Sequence, residues 1–167
     1  MNYKPHPDKG NRILQCVVIT VSDTRIEETD KSGQLIQELL TDAGHEIVAY
    51  GIVKDEPTAI KAQIQQLCEN TALDAFILNG GTGIAPRDTT YDAVVQLLDK
   101  TLPGFGEIFR HLSYLDIGSR AISSRAIAGT YQGKLLFSLP GSTNAVKLGM
   151  KELILPEILH LVEQLQD

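Results

Sequence analysis

Residues 75–83, Ala75-Phe76-Ile77-Leu78-Asn79-Gly80-Gly81-Thr82-Gly83, carry an apolar run straight into a glycine-rich turn. A buried strand that ends in glycines is typical of an open α/β sheet, which binds its ligands at the carboxyl ends of its strands. Glycine allows positive φ and lets a bulky anion approach backbone N–H groups without meeting a Cβ. Asp88 follows, and Thr89 then opens a helical pattern. The stretch therefore predicts a strand, a glycine turn and a helix, with one acid at the mouth of the turn.

This turn does not identify a ligand by itself. Gly83 is not followed by the Gly-Lys-Ser/Thr of a Walker loop. The Gly-x-Gly-x-x-Gly dinucleotide fingerprint, with an acidic residue one βα unit later, is missing too. Tight-turn architecture and phosphate binding both remain open for residues 80–83.

Composition limits the classes of function. The chain has 167 residues and is 43% hydrophobic, which suffices for a single core. A formal net charge of -6 argues against nucleic-acid binding but leaves room for one anionic small molecule. No apolar run approaches the ~18 residues of a membrane span, and residues 1–12 lack the apolar stretch of a secretion signal. Cys16 and Cys68 lie in apolar patterns typical of buried, reduced thiols. We expect a soluble, cytoplasmic protein with neither membrane nor nucleic-acid partners.

Strand and helix patterns alternate along the chain. Strands are predicted at residues 16–21, 47–53, 75–79, 126–128 and 135–139, and helices at 32–43, 57–68, 89–98, 105–115 and from 146 onward, with Pro156 starting or kinking the last helix. Runs that are apolar on both faces are typical of central parallel strands. The pattern predicts a three-layer α/β/α fold with a mostly parallel sheet, as a single domain over residues 13–167 after a flexible N-terminal arm over residues 1–12.

Polar residues and glycines follow four predicted strands, at Ser22-Asp23, Asp55-Glu56, Gly80 to Asp88 and Pro140-Gly141-Ser142. The carboxyl ends of parallel strands share one edge of the sheet, so these residues are expected to converge on one cleft. Purely structural roles are also open for each. Asp23 would be a turn acid, Asp55 or Glu56 would cap the helix that Pro57 begins, Asp88 would favour a helix N-terminus, and Ser142 would be an N-cap.

Acids beside phosphate-binding turns require a counter-charge. Carboxylates would repel a bound phosphate unless a divalent cation lay between them, and Mg²⁺ accepts carboxylate and phosphate oxygens together. Asp55 and Asp88 therefore indicate metal-assisted phosphoryl or nucleotidyl transfer. No Ser-His-Asp pattern competes, and the histidines at 6, 45, 111 and 160 show no metal-ligand spacing.

Several blocks of the sequence resemble one known family. They are Val21-Ser22-Asp23, Asp30-Lys31-Ser32-Gly33, Asp55-Glu56, Gly80-Gly81-Thr82-Gly83 with Arg87-Asp88, and Pro140-Gly141-Ser142. In this order they resemble the molybdenum cofactor biosynthesis proteins that include molybdopterin adenylyltransferase and biosynthesis protein B, over nearly the whole chain. The stretch 103–110, with Asp116-Ile117-Gly118 and Ser124-Arg125-Ala126, is similar to the protein B branch.

This resemblance implies a substrate, a reaction and an assembly. It implies that the chain binds molybdopterin and adenylylates its terminal phosphate with Mg²⁺ and ATP, or else binds the pterin or a precursor as a non-catalytic carrier. Asp55 and Asp88 would be the catalytic, metal-linked acids. The substrate would be held by Gly80, Gly81, Thr82 and Gly83, with Ser22 and Asp23 beside them, and by Pro140, Gly141 and Ser142 of the second turn. A homotrimer or homohexamer is also implied, for which residues 105–115 offer an apolar contact helix.

Overall fold

The computed structural model describes residues 12–166, which form one mixed sheet covered by helices on both faces. Its strands are β1 (Gln15–Val21), β2 (Glu46–Val53), β3 (Ala75–Asn79), β4 (Lys100–Thr101), β5 (Ile127–Tyr131) and β6 (Lys134–Leu139). They follow the order β2-β1-β3-β6-β5-β4. Strands β2, β1, β3 and β6 are parallel, whereas β5 pairs antiparallel with β6 and β4 antiparallel with β5. The predicted α/β class with a mostly parallel sheet is confirmed.

Helices pack on both faces of this sheet. They are α1 (Lys31–Asp42), α2 (Pro57–Cys68), α3 (Thr90–Leu97), α4 (Pro103–Ile117), α5 (Thr143–Gly149) and α6 (Leu155–Gln166), and a 3₁₀ segment, Gly118–Ser123, follows α4. One core cluster includes Ile36 of α1, Phe109 of α4 and Ile158 of α6. The other includes Ile64 of α2 and Val94 of α3. The three predicted layers are therefore present.

The central strands are buried because both of their faces are covered. All of β3 is buried, and β1 is buried from Cys16 to Val21. Burial of each large apolar side chain contributes roughly 1.5–3 kcal/mol. Since β1 lies between β2 and β3, and β3 between β1 and β6, the apolar runs occupy the middle of the sheet as predicted.

Local signals account for several helix boundaries. Gly44 follows α1 with φ +86°, a conformation that glycine adopts without strain. Pro57 occupies the first turn of α2, where its missing N–H leaves no bond unmade. A π-helical segment, Met150–Ile154, joins α5 to α6 and ends two residues before Pro156, and the N–H of Leu155 donates to the carbonyl of Met150. Pro156 therefore lies in the first turn of α6, after this local widening.

Some features differ from the sequence-based prediction. The two-residue edge strand β4 was not predicted, because an exposed pair of residues carries no periodicity. Strand β5 extends to Tyr131, beyond the predicted residues 126–128, and a turn through Gln132 and Gly133, both with positive φ, connects it to β6. The predicted arm lies outside the described residues except for Arg12, whose guanidinium is 2.6 Å from the Asp74 carboxylate.

Candidate functional site

Two adjoining cavities lie at the carboxyl edge of the parallel strands. The larger, of about 480 Å³, is bordered by both glycine turns, and the smaller, of about 140 Å³, by Asp23 and Asp55. Val21, Ser22, Thr24, Gly81 and Asp88 border both cavities.

Every predicted site residue borders at least one of these cavities. The larger is bordered by Ser22, Gly80, Gly81, Thr82, Gly83, Asp88, Pro140, Gly141 and Ser142, and the smaller by Ser22, Asp23, Asp55, Gly81 and Asp88. The predicted convergence of four strand ends on one cleft is thus present in the structure. The roles assigned to the individual residues stay predictions.

The first glycine turn is built so that side chains are excluded. Gly80 and Gly81 have φ of +100° and +65°, which other residues rarely adopt. A Cβ at Gly80 would collide with the carbonyl oxygen of Val21, and one at Gly81 with the Thr90 hydroxyl and the Asp55 carboxylate. This turn therefore needs glycine for its conformation and close packing, which is the tight-turn explanation. Phosphate binding by these residues stays a prediction.

The turn also presents unpaired backbone donors. Within residues 12–166, the N–H groups of Gly81, Thr82 and Gly83 donate to no carbonyl or side chain. Unpaired backbone N–H groups are costly when buried, so they favour water or a bound anion as acceptor. Their position beside the larger cavity suits the binding of a phosphate or another oxyanion.

Asp55 is held by the segment that precedes α3. Its Oδ1 accepts hydrogen bonds from the Thr89 N–H (2.9 Å) and the Thr89 hydroxyl (2.7 Å). The N–H of Asp55 donates to Oδ1 of Asp23 at 3.0 Å, which ties the ends of β1 and β2 together. The suggestion that Asp55 or Glu56 caps α2 was wrong, because Glu56 occupies the N-cap position without a side-chain hydrogen bond and Asp55 bonds Thr89 instead.

Asp88 closes the loop that follows the glycine turn. Its Oδ2 accepts a hydrogen bond from the N–H of Ala85 at 3.1 Å, and its own N–H donates to the Ala85 carbonyl. Among the described residues, no donor reaches Oδ1 of Asp88 or Oδ2 of Asp55. Each acid therefore uses one carboxylate oxygen in a structural hydrogen bond, and its other oxygen has no donor among the described residues.

The second turn faces the first across the sheet edge. A Cβ at Gly141 would lie 3.1 Å from the Cα of Gly80, so the two turns are in close contact. The carbonyl of Gly141 accepts hydrogen bonds from Ser32 Oγ and Arg25 Nη2, both at 2.8 Å. Ser142 caps α5 by accepting from the N–H of Ala145 at 3.2 Å, so its N-cap role is present in the structure.

Half-buried Arg25 and buried Asp30 belong to a hydrogen-bond network that the sequence prediction missed. Asp30 is fully buried and caps α1 by accepting from the N–H of Gly33. It also accepts from the Thr20 hydroxyl (2.5 Å), the Tyr50 hydroxyl (2.7 Å) and Arg25 Nη1 (3.4 Å). Burial and the hydrogen bond to Asp30 raise the pKa of the Tyr50 hydroxyl above its usual value. An aspartate directly before a helical pattern is a helix-start signal, which Asp30 provides, whereas nothing in the sequence marks Arg25.

Charge is divided between the two cavities. Arg25, Arg120 and Asp88 border the larger one, whereas Asp23, Asp55 and Asp88 border the smaller one together with Arg87. The charged side chains around the larger cavity are therefore positive on balance, and those around the smaller one are negative on balance. No group of three or more His, Cys, Asp or Glu within residues 12–166 could hold a metal ion by itself.

The histidines lie away from these cavities where the structure describes them. His45 is buried, its Nδ1 is 3.4 Å from the N–H of Leu14, and burial lowers its pKa. Neither His111 nor His160 borders either cavity, and His6 lies outside the described residues. No helix within residues 12–166 is long and apolar enough to cross a membrane.

Comparison with known proteins defines the class of protein. A family model described as a probable molybdopterin binding domain matches residues 17–160. The chain therefore belongs to the family of molybdenum cofactor biosynthesis proteins built on this domain.

Individual relatives narrow this class to one branch. The chain is 53% identical to molybdenum cofactor biosynthesis protein B of Bacillus subtilis over 167 residues, which is 99% of this chain and 98% of the relative. A crystal structure of a molybdenum cofactor biosynthesis protein B is 50% identical, with a TM-score of 0.92, and covers 95% of this chain and 99% of its own. The tungsten cofactor synthesizing protein MoaB of Pyrococcus furiosus is 38% identical, with a TM-score of 0.82 over 95% of this chain and 100% of its own.

Proposed function

We propose that this protein binds molybdopterin in the larger cavity and transfers AMP from ATP to the terminal phosphate of the pterin. The observation that carries this proposal is the shared border of the two cavities, where Asp88 and Gly81 face both. An anion-binding turn and a pair of acids thus meet where a phosphate of one substrate would approach the other. In the reaction, a phosphate oxygen of the pterin attacks the α-phosphorus of ATP. The bond between the α-phosphorus and the oxygen that bridges it to the β-phosphorus breaks, and pyrophosphate leaves.

Asp55 and Asp88 fit as two ligands of a Mg²⁺ ion whose remaining ligands are phosphate oxygens and water. Each presents one carboxylate oxygen without a protein donor among the described residues, and both border the cavity of about 140 Å³. Mg²⁺ is usually bound through one or two carboxylates together with substrate phosphates and water, so a third acid is not needed. When bound, the ion would neutralise charge on the phosphates during transfer.

The other residues would bind and orient the substrates. The unpaired N–H groups of Gly81, Thr82 and Gly83 would donate to a phosphate, and Arg25 would add positive charge from the wall of the larger cavity. Ser22, Asp23, Gly80 and the second turn, Pro140-Gly141-Ser142, would shape the site around the pterin. The Asp30 carboxylate would keep the Arg25 guanidinium beside the cavity.

A second candidate is a carrier that binds molybdopterin without catalysis. The observation that favours it is the use of Asp55 Oδ1 by Thr89, which gives this acid a structural task without any metal. In this reading the larger cavity and its two turns would bind the pterin, and the acids would only shape the loops.

We also propose that the protein assembles with copies of itself, as a homotrimer or homohexamer. The support is a group of exposed apolar side chains on α4 and the 3₁₀ segment after it, including Tyr114, Leu115 and Ile122, which are 60%, 70% and 89% exposed. Within the predicted contact helix, Phe109 is instead buried in the core and Phe105 packs against it. Light scattering coupled to size exclusion would measure the mass of the assembly.

Turnover separates the enzyme from the carrier. Purified protein is incubated with molybdopterin, Mg²⁺ and ATP, and adenylylated pterin and pyrophosphate are followed by chromatography. Asp55→Asn and Asp88→Asn are the informative variants, because the amide oxygen can still accept from Thr89 or Ala85 while the charge is lost. We expect both to lose at least about 100-fold in turnover and to retain pterin binding.

The exposed acid Asp42 at the end of α1 offers a matched control, and Asp42→Asn should keep full turnover. Tight pterin binding by the wild-type protein without product would establish the carrier. Absence of pterin binding would refute both functions.

A further inference from the structure

Arg125 contacts the glycine turn from outside both cavities. Its Nε lies 3.2 Å from the carbonyl oxygens of Thr82 and Gly83, and its Nη2 lies 2.7 Å from that of Gly83 and 3.4 Å from that of Asp88. The remaining nitrogen, Nη1, pairs with the Asp92 carboxylate at 3.2 Å. The guanidinium also stacks on the Tyr91 ring, 4.7 Å from its centroid.

These contacts determine which way the peptide groups face. All described peptide bonds are trans, so a carbonyl and the N–H of the next residue point in opposite directions. With the carbonyls of Thr82 and Asp88 directed at Arg125, the N–H groups of Gly83 and Thr89 point away from it. The Thr89 N–H donates to Asp55 Oδ1 at 2.9 Å, in agreement with this geometry. Gly83 borders the larger cavity, and its N–H is among the unpaired donors of the turn.

Few other bonds hold this segment. Among the described residues, four N–H groups of residues 81–90 make hydrogen bonds. Those of Asp88 and Thr90 donate to the carbonyls of Ala85 and Gly81, and those of Ala85 and Thr89 donate to the Asp88 and Asp55 carboxylates. None of these bonds involves Thr82 or Gly83. A loop with so few internal bonds loses substantial conformational entropy when it is held in one conformation. Arg125 supplies the missing constraint.

We propose that Arg125 is a positioning residue that sets both halves of the site through the backbone of the turn. It orients the N–H of Gly83 toward the anionic group of the ligand, and it orients the N–H of Thr89 toward Asp55. One guanidinium thereby links the anion-binding turn to one of the two acids. That the ligand is molybdopterin rests on the function proposed above, whereas the constraint on the turn does not.

Lysine cannot perform the same task. A guanidinium is planar and directs its donors in a fixed fork, which matches carbonyls spread over Thr82, Gly83 and Asp88. An ammonium is a compact charge on a flexible stem and cannot reach all three carbonyls together. Arg125→Lys therefore retains the charge and removes the geometry.

The test uses the full chain with Arg125→Ala, Arg125→Lys and, as a matched control, Asp92→Ala, which removes the ion pair and leaves the carbonyl contacts. Hydrogen exchange followed by mass spectrometry reports on residues 80–90, and a fluorescence titration measures molybdopterin affinity. We expect both Arg125 variants to exchange at least about 10-fold faster in this segment, and to bind molybdopterin about 10–100-fold more weakly. Methylguanidinium should restore part of both losses in Arg125→Ala, and Asp92→Ala should stay within about 2-fold of wild type.

The proposal would be overturned if either Arg125 variant showed the hydrogen exchange and molybdopterin affinity of the wild type. It would also be overturned if Asp92→Ala changed both quantities as much as the Arg125 variants do. Should Arg125→Ala fail to fold, Arg125→Lys carries the same test. A wild-type protein that binds no molybdopterin would refute the proposed function, and the exchange result would still decide whether Arg125 orients the turn.

Discussion

Replacement of Asp30 by alanine should strongly destabilise the protein. Asp30 is 0% exposed and accepts hydrogen bonds from Thr20, Gly33, Tyr50 and Arg25. Loss of the N-cap bond to Gly33 costs about 1 kcal/mol. The buried Thr20 hydroxyl, deprived of its acceptor, adds about 1–3 kcal/mol.

Together these two losses lower the free energy of unfolding by about 2–4 kcal/mol. In a protein of this size, that corresponds to a fall in Tm on the order of 10 °C. Arg25 and Tyr50 are partly exposed, so water replaces part of what they lose and the estimate includes no separate contribution from them.

Urea unfolding followed by circular dichroism measures this change. Tyr50→Phe removes a single donor to the carboxylate and should cost about 1 kcal/mol, and the double variant should lose less than the sum of the two single losses. Asp42→Ala, at an exposed acid of the same helix, should lie within about 0.5 kcal/mol of wild type. A loss below about 1 kcal/mol for Asp30→Ala would refute the view that this carboxylate holds the network together.

Three further predictions concern glycine geometry, acid and thiols. Gly81→Ala and Gly44→Ala both place alanine at positive φ, but protein atoms would collide with the new Cβ only at Gly81. Gly81→Ala should therefore weaken molybdopterin binding by at least about 10-fold in a titration, and Gly44→Ala should not. Wild-type affinity in both variants would contradict the steric argument. Burial lowers the pKa of His45, so the unfolded chain takes up a proton at this residue before the folded protein does. The free energy of unfolding should therefore fall, by at most about 1.4 kcal/mol per pH unit, as the pH drops from about 6.5 through the lowered pKa. Unfolding measurements at several pH values would show this slope, and His45→Gln should flatten it. Because burial raises the pKa of Cys16 to about 12, its thiol should not react with a disulfide reagent at pH 8 until the protein unfolds, as mass spectrometry of the adduct would show.

The arrangement of the sheet edge was accessible from the sequence because it follows from local patterns. The apolar runs of β1 and β3 have no polar face, which only a strand covered on both sides can tolerate. Glycines directly after β3, and Pro140-Gly141-Ser142 directly after β6, then mark two turns on the same edge. Parallel pairing brings their ends together, so one cleft was predictable without knowledge of strand order.

The partners of the acids were not accessible in the same way. The bond from Thr89 to Asp55 joins residues 34 positions apart, and that from Arg125 to Thr82 joins residues 43 apart. No periodicity or local motif connects such pairs. The sequence suggested a cap on α2 for Asp55 because a helix start lies next to it, whereas its carboxylate lies against the segment before α3 instead.

By itself, the sequence determined where the buried strands, the helices and the glycine turns lie, because side-chain periodicity and backbone conformation are local properties. It also determined that two acids and two glycine turns would share one edge, since the direction of parallel strands leaves no other arrangement. Only the tertiary structure decided that Arg25 would border the larger cavity and that buried Asp30 would bond its guanidinium. It also decided that Arg125 would bind the carbonyls of the first glycine turn from outside both cavities. Those positions depend on how β1, β3, β5 and β6 and their connections pack against one another, and contacts between residues distant in the chain form only when the whole core is assembled.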